Sequence, residues 1–213
     1  MATTIVCYGD SNTFGADMSR MGGRFSENER WPMVMARELG SGYDIREEGL
    51  NGRTAATDDS MMGHDLNGLK SLPGRLAVHA PVGLLIIMLG TNDVKEKYGL
   101  SPRDITQNMA RLIHAAKDSG ALSDGGGILL IAPAPIGELV STGFMGPGFG
   151  AGCVGKSEAL AGLYRELADS EGCYFLDAAE YISVGTTDYV HLSAEGHLSL
   201  GKTVAEFIKT NGI

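Results

Sequence analysis

Short apolar runs bounded by glycine or turn residues recur along the chain and predict the strands of a β-sheet. Residues 83–90 and 126–133 are continuously apolar, as expected for strands that are covered on both faces. Residues 3–8 are rich in β-branched side chains, and residues 42–49 begin with an alternation of apolar and polar positions. Residues 173–178 complete a set of five predicted strands.

Between these runs, apolar residues recur at helical spacing. Residues 31–39 predict one helix, and residues 68–78 a second that Pro73 and Gly74 interrupt. Another begins at Ser101, a good capping residue, with Pro102 in the first helical position. The predicted inward face of this helix is Ile105, Met109, Leu112, Ile113 and Ala116. A later helix has the predicted inward face Leu160, Leu163, Tyr164 and Leu167. The last helix begins at Ser193, and its predicted inward face is Leu198, Val204, Ala205 and Ile208.

Strands that alternate with helices predict an α/β fold, a three-layer α/β/α sandwich around a five-stranded parallel sheet. We expect residues 1–213 to form a single domain, because no linker or repeat divides the sequence. Right-handed crossovers place every strand-to-helix loop at one edge of the sheet, where ligands bind in such folds. Residues 136–157 are too long and too glycine-rich for a plain connection, which indicates a functional or a mobile segment.

The net charge of −9 narrows the range of partners. An acidic surface disfavours nucleic acid and anionic membranes, so neither is expected to bind. Cys7, Cys153 and Cys173 form no CxxC pair, which indicates a reducing compartment. The first residues lack the basic and apolar regions of a signal peptide, and we therefore predict a cytoplasmic protein.

Polar residues follow four of the predicted strands, at the edge where ligands are expected. They lie in four short blocks: Ser11 in GDSNTFG, Asn51 and Gly52 in GLNGRT, Asn92 and Asp93 in LGTNDV, and Asp188 and His191 in TTDYVHLS. These are the parts that acyl transfer requires, because a serine hydroxyl is a poor nucleophile without a neighbouring base.

Each part has a distinct expected role. Ser11 is the candidate nucleophile, His191 the base, and Asp188 the carboxylate that orients the imidazole from three residues away. The negative oxygen of a tetrahedral intermediate needs preorganised donors. The backbone N–H groups of Ser11 and Gly52 and the side-chain amide of Asn92 are the candidate oxyanion hole, with Gly52 chosen because a Cβ would obstruct approach.

The blocks GDS, NG, GTND and DYVH together resemble the SGNH (GDSL-type) hydrolase superfamily. The surrounding RW, EEGLNGRT and LIIMLGTND are similar to its bacterial arylesterase and acyltransferase branch, and the similarity runs nearly from end to end. The resemblance implies a flavodoxin-like sheet with strand order 2-1-3-4-5 and the same roles for the residues named above. Asn12 departs from the family pattern, in which many members carry leucine, and is expected to touch substrate or core.

The expected function is a serine esterase that hydrolyses small acetyl or aryl esters and passes the acyl group to alcohols as well as to water. A carbohydrate O-acetylesterase and a lysophospholipase or thioesterase share this machinery and stay open. A nucleotide-binding module is disfavoured because G-x-G-x-x-G and G-x-x-x-x-G-K-[ST] are absent where the first helix begins. A non-catalytic scaffold is disfavoured by the intact set of blocks. The chemistry needs neither cofactor nor metal.

Several polar residues near the blocks have structural interpretations. We expect Asp10 to cap its loop and Asp93 to brace the loop that carries Asn92. Arg53 is expected to form a structural ion pair rather than to bind a substrate carboxylate. Asp58, Asp59, His64 and Asp65 form an acidic loop in which a solvated surface is favoured over a metal site.

Apolar residues in loops carry a second expectation. We expect these residues either to line an acyl or aryl pocket or to pack a subunit interface, and both interpretations stay open. They are Met61, Met62, Phe144, Met145 and Phe149. Exposed apolar loops on an acidic chain indicate a homo-oligomer.

Overall fold

The computed structural model describes residues 2–20, 23–59 and 66–213. Its main sheet has five parallel strands in the order β4-β1-β5-β6-β7, which corresponds to the predicted order 2-1-3-4-5. The strands of that sheet are β1 (Thr3–Gly9), β4 (Tyr43–Gly49), β5 (Val82–Met88), β6 (Leu122–Ala132) and β7 (Tyr174–Asp177), and β2 (Ala16–Asp17) and β3 (Gly23–Arg24) form a separate antiparallel pair. The predicted fold class is confirmed.

Helices cover both faces of the sheet. On one side, α2 (Trp31–Leu39) packs against α7 (Ala194–Asn211), and on the other α4 (Pro102–Asp118) packs between α3 (Gly68–His79) and α6 (Cys153–Glu171). Two short helices, α1 (Ser11–Phe14) and α5 (Gly146–Phe149), lie in loops. No helix in the described ranges is long and apolar enough to cross a bilayer.

The two-residue period of the strands divides the core into two clusters. In β1, Val6 and Tyr8 face α3, α4 and α6, whereas Ile5 and Cys7 face α2 and α7. All four side chains are fully buried, as are most of those in β5. A strand that is buried on both faces has no polar positions, which is why the continuous apolar runs mark the middle of this sheet.

Helix α4 follows its predicted pattern closely. The Ser101 side chain accepts the N–H of Asp104, and the Asp104 carboxylate accepts the N–H of Ser101, so a capping box holds the first turn. All five residues of its predicted inward face are buried.

The inward faces of the last two helices are predicted less well. In α7, Leu198 is only half-buried, because the inward stripe runs in steps of four through Leu200, Val204 and Ile208. In α6, Leu163 is likewise only half-buried, while Leu160, Tyr164 and Leu167 are buried as predicted.

Two regions that the pattern left uncertain are ordered. Helix α3 continues through Pro73 and Gly74. Residues 136–157 contain a turn of 3-10 helix (Glu138–Thr142), then α5 and the start of α6. This segment follows β6 and so begins at the carboxyl edge of the sheet, beside the four polar loops.

Candidate active site

The four polar loops meet at the carboxyl edge of the sheet. The chain moves outward from β1 to β4 and then crosses to β5 on the other side of β1, so the strand order reverses beside β1. A crevice forms at such a point, because the loops that follow neighbouring strands leave in opposite directions. Ser11 follows β1 and Asn92 follows β5, at the two sides of this crevice.

The loop that carries Ser11 is a single helical turn held at both ends. The Asp10 carboxylate accepts the N–H of Asn12 at 2.9 Å, which caps α1 and confirms the capping role predicted for Asp10. Gly15 ends the turn at a φ of 84°, a conformation that glycine adopts without strain. Ser11 lies in the first position of this turn and is 6% exposed.

Ser11, His191 and Asp188 form a continuous hydrogen-bonded chain. The Ser11 Oγ lies 2.8 Å from the His191 Nε2, and the His191 Nδ1 lies 2.5 Å from the Asp188 Oδ2. Burial favours a raised pKa for Asp188, but hydrogen bonds from His191 and from the N–H of Val190, together with the imidazolium charge, outweigh it and lower that pKa. Ser11 is thus in contact with His191, 180 positions away in the sequence, and His191 is in contact with Asp188.

Hydrogen bonds of its backbone N–H and C=O groups hold the loop around His191 in place. The second oxygen of Asp188 accepts the N–H of Val190 at 3.0 Å and that of His191 at 2.9 Å, which is an Asx-type turn. Gly185 donates its N–H to the carbonyl of His191 at 2.6 Å. The imidazole therefore projects from a backbone with little freedom to move.

Asn12 adds a long-range clamp to this loop. Its side-chain amide donates to the carbonyl of Val190 at 3.3 Å, and its side-chain oxygen accepts the N–H of Leu192 at 2.9 Å. It is buried, its polar atoms contact the backbone around His191, and it does not line the cavity beside Ser11, so it lies in the core, one of the two expectations for it. The contact with residues on both sides of His191 was not predicted, because partners 180 positions away leave no local pattern.

The three candidate donors for an oxyanion border the same cavity. Ser11, Gly52 and Asn92 all line it. Asn92 donates one amide hydrogen to the carbonyl of Arg53 at 3.1 Å, which orients the side chain and leaves its second hydrogen available. Within the described ranges, no acceptor is found for the N–H of Ser11 or of Gly52.

The backbone gives a second reason for glycine at position 52, beside the expected access to its N–H. A Cβ built there meets its nearest neighbour, Leu66, at 3.5 Å, which is ordinary contact. The backbone φ is 84°, a left-handed conformation that disfavours other residues. The backbone conformation therefore favours glycine, although a Cβ would meet no close protein neighbour.

Asp93 lies directly behind this rim. Both of its carboxylate oxygens accept the N–H of Ala55, at 3.0 and 3.1 Å, so it ties the loop after β4 to the loop after β5. This contact agrees with the bracing role predicted for it. Complete burial, reinforced by the nearby Asp10 charge, raises the pKa of Asp93 to about 7.

The cavity beside Ser11 measures about 220 Å³ and has one polar and one apolar side. Met145 and Phe149, from residues 136–157, form much of its apolar side. These two residues therefore line a pocket, which was one of the two expectations for them. Phe144 is 63% exposed and lines an adjoining outer cavity of about 360 Å³. Met61 and Met62 lie outside the described residues.

Arg53, next to Gly52, has a structural role. Arg53 is buried, lies over the Tyr8 ring at 4.1 Å and donates to the carbonyls of Gly9, at 2.8 Å, and Glu48. No ion pair of Arg53 is found within the described ranges, so the predicted ion pair is wrong and backbone acceptors replace it.

The acidic loop is only partly described. Asp58 pairs with Lys70, and Asp59 pairs with Lys97. His64 and Asp65 lie outside the described residues. No group of three or more His, Cys, Asp or Glu that could hold a metal ion is found in the part of the chain that the structure describes.

Comparison with known proteins places this site in a family. The model of the GDSL-like lipase/acylhydrolase family matches residues 7–198. No curated protein matches the chain. The chain is similar to the structure of a carbohydrate acetylesterase from Sinorhizobium meliloti, with 36% identity, coverage of 98% of this chain and 99% of that chain, and a TM-score of 0.88.

Two further structures are similar at different levels of sequence identity. The aryl esterase of M. smegmatis is 33% identical over 98% of this chain and 99% of that chain, with a TM-score of 0.90. A member of the lipolytic G-D-S-L family from Veillonella parvula is 15% identical over 98% of this chain and 99% of that chain, with a TM-score of 0.70, and shows the fold alone.

Proposed function

Since the chain belongs to the GDSL-like lipase/acylhydrolase family, that of the SGNH hydrolases, and is a carboxylic ester hydrolase, we propose that it works through an acyl-enzyme on Ser11. The observation that carries this proposal is the chain of contacts from the Ser11 Oγ through His191 to Asp188, at 2.8 and 2.5 Å. A hydroxyl within hydrogen-bond reach of an oriented imidazole is what nucleophilic catalysis by serine needs.

In the first half of the reaction, the Ser11 Oγ attacks the ester carbonyl while the His191 Nε2 takes the hydroxyl proton. The carbonyl oxygen becomes negative and accepts hydrogen bonds from the N–H groups of Ser11 and Gly52 and from the Asn92 amide. As the tetrahedral intermediate collapses, His191 returns the proton to the leaving alcohol. Asp188 stabilises the imidazolium and keeps the proton of the ring on Nδ1 in the neutral state.

In the second half, a water molecule attacks the acyl-enzyme, and His191 takes one of its protons. Collapse of that intermediate releases the acid and restores the Ser11 hydroxyl. An alcohol in the place of water gives a new ester, which is acyl transfer. The apolar side formed by Met145 and Phe149 supports this branch, because it favours an alcohol over water beside the acyl-enzyme.

Small esters are the proposed substrates. A cavity of about 220 Å³ suits an acetyl or similarly short acyl group with a compact alcohol. The similar structures are named an aryl esterase and a carbohydrate acetylesterase, so aryl acetates and O-acetylated sugars are the two candidate substrate classes. A panel of both, at matched concentrations, decides which alcohol the enzyme prefers.

The test compares the Ser11→Ala variant with wild type on para-nitrophenyl acetate. We expect turnover to fall by a factor on the order of 10⁴ or more. A fluorophosphonate probe should label wild type and leave the variant unlabelled. Ser170→Ala, at an exposed serine near the end of α6, is the matched control and should behave as wild type. Near-normal turnover by Ser11→Ala would end this mechanism.

Transfer is tested separately, by adding an alcohol to the hydrolysis assay. The expected result is a new ester of that alcohol alongside the free acid. If only the acid forms at every alcohol concentration, the transfer part of the proposal fails while hydrolysis stands.

A homo-oligomer is part of the same proposal. Leu139 and Phe144, both in residues 136–157, are exposed by more than half of their surface. Apolar side chains that are exposed in one segment favour a subunit contact there. Light scattering of wild type and Phe144→Ser should show a mass that falls in the variant, and a monomeric wild type would refute the oligomer.

A further inference from the structure

Lys95 lies beside the reacting groups, and the mechanism above does not use it. It lines the cavity that contains Ser11 and His191, and it also lines the adjoining outer cavity. Among the described residues that line the inner cavity, it is the only lysine or arginine. Its ammonium is therefore the lysine or arginine charge that a substrate meets in the cavity that contains Ser11 and His191.

The surroundings of Lys95 leave this charge poorly compensated. The Lys95 Nζ lies 5.0 Å from the centre of the Phe149 ring, against the apolar side of the cavity. Partial burial, together with the like charge of Lys97, lowers the pKa of Lys95. No carboxylate lies within ion-pair distance of it in the described ranges, whereas Lys97, two residues on, is 2.5 Å from Asp59.

The acidic groups near Lys95 do not take the place of a partner. Asp10 and Asp93 are buried, and neither forms an ion pair with Lys95 in the described ranges. Burial raises the pKa of Asp10 above its ordinary value and that of Asp93 to about 7. Asp59 accepts from both Lys97 and the Tyr98 hydroxyl. An anion that enters the cavity would give the Lys95 ammonium its missing partner.

The backbone of Lys95 lies in the same turn as Asn92. Its N–H donates to the carbonyl of Asn92 at 3.3 Å, so the loop that carries the oxyanion donor carries the ammonium as well. A charge anchored in this way can select an ester by a group that does not itself react.

We propose that Lys95 is an anion subsite of this esterase, and that the preferred substrates are esters bearing a carboxylate close to the scissile bond. This inference rests on the proposed function, because it assigns the substrate class of the same cavity. The carboxylate belongs to either the acyl or the alcohol half of the ester, and both halves are tested below. The neutral cavity walls accept the uncharged part of the molecule.

The experiment compares an anionic ester with a neutral one of the same shape. For the acyl half, the pair is ethyl hydrogen succinate and ethyl butyrate, and for the alcohol half it is meta-acetoxybenzoate and meta-tolyl acetate, each with a single ester bond. Acid release is followed in a pH-stat, and kcat/KM is measured for each. The readout is the anionic-to-neutral ratio of kcat/KM, compared between variants so that intrinsic reactivity cancels.

We expect this ratio to fall about tenfold in Lys95→Met for at least one pair, the usual scale for a hydrogen-bonded charge. Lys97→Met removes an equal charge nearby and should leave the ratio within about twofold of wild type, because Asp59 already compensates Lys97. Lys95→Arg keeps the charge and should retain most of the preference. The pair that responds identifies the half of the ester that carries the carboxylate.

A second measurement does not depend on any variant. The ratio of wild type should fall as sodium chloride is raised, because a partly exposed charge pair is screened. A ratio that is the same in wild type and Lys95→Met for both pairs would overturn the anion subsite, as would an equal fall in Lys97→Met. If no ester is turned over above the Ser11→Ala background, the proposed function fails instead.

Discussion

The cavity beside Ser11 has two walls of opposite character. The polar wall comes from the loops after β1, β4, β5 and β7, and Ser11, Asn92 and His191 in it are buried and make hydrogen bonds of 2.5 to 3.1 Å. The apolar wall is formed mainly by Met145 and Phe149, from residues 136–157 after β6, which contribute packing surface to the cavity. Ala16, Met18 and Val190 add further apolar surface from the loops after β1 and β7.

This difference separates two tasks. Hydrogen bonds constrain direction and distance, and a reaction that moves a proton between fixed atoms needs both. Apolar contact constrains volume alone, and volume discriminates between acyl and alcohol groups by small factors. In the proposed mechanism, the polar wall therefore determines which reaction occurs, and the apolar wall, with Lys95 at its edge, determines which ester is used. Variants in the two walls should fail in different ways.

The largest effect among these variants is expected for Asn92→Ala, in the polar wall. Loss of one oxyanion donor should lower kcat by about 10² to 10³ for every ester alike. Thr91→Val is the matched control, since the buried Thr91 hydroxyl has no partner in the described part of the chain. Steady-state kinetics with two acyl lengths measure this. A loss that differs strongly between the two lengths would contradict the separation of tasks.

The polar wall was largely predictable from sequence, for a physical reason. A buried parallel strand is a continuous apolar run, so the first polar residues after it are visible as exceptions, and parallel strands bring these exceptions to one edge. Ser11, Asn92 and His191 were found in this way. The clamp from Asn12 was not, because its partners flank His191 at the other end of the chain.

The apolar wall was predictable only as a region. Residues 136–157 contain repeated glycines that break any helical or strand period, so neither the 3-10 turn nor α5 had a signal. The exposure of Phe144 and the burial of Phe149 follow from tertiary contacts that residue type does not encode. The half-burial of Leu198 is a similar case, because it lies beside the buried stripe of α7 rather than in it.

The next effect concerns Asp93, behind the polar wall, and is seen in stability. Its pKa is about 7 when folded, against about 4 in an unfolded chain. Between these values the folded state binds more protons, so the stabilising contribution is complete below about pH 4 and lost by about pH 7.

From pH 5 to pH 8, the free energy of unfolding of wild type should therefore fall by about 2–3 kcal/mol more than that of Asp93→Asn. Denaturant unfolding of both proteins at the two pH values measures this difference. Asp124→Asn, at an exposed position in β6, controls for the loss of one charge. Parallel pH dependences of wild type and Asp93→Asn would show that Asp93 does not titrate in this range.

A smaller effect is expected when the clamp on His191 is removed. Asn12→Leu keeps the volume of the side chain but leaves the Val190 carbonyl and the Leu192 N–H without their partner. The imidazole should shift relative to Ser11, lowering kcat about tenfold while KM changes little.

Thr13→Val is the control for Asn12→Leu, because Thr13 is a buried neighbour whose hydroxyl has no partner among the described residues. Labelling by a fluorophosphonate should slow in Asn12→Leu in proportion to kcat, at a temperature where both variants are folded. Equal kcat losses in the two variants would assign the effect to general packing around the turn.

The smallest effect belongs to the apolar wall and should differ in kind. Phe149→Leu removes part of a ring that is almost fully buried against the cavity, and so gives a longer acyl chain more room. The ratio of kcat/KM for para-nitrophenyl hexanoate to that for the acetate should rise about threefold to fivefold, the scale of a modest change in pocket volume. Phe144→Leu, in the same segment but exposed, should leave that ratio unchanged. Since the polar wall is untouched, para-nitrophenyl acetate should still be hydrolysed by the Phe149→Leu variant. A uniform loss for both esters would mean that the two walls do not act independently, and that residues 136–157 also hold the reacting groups in place.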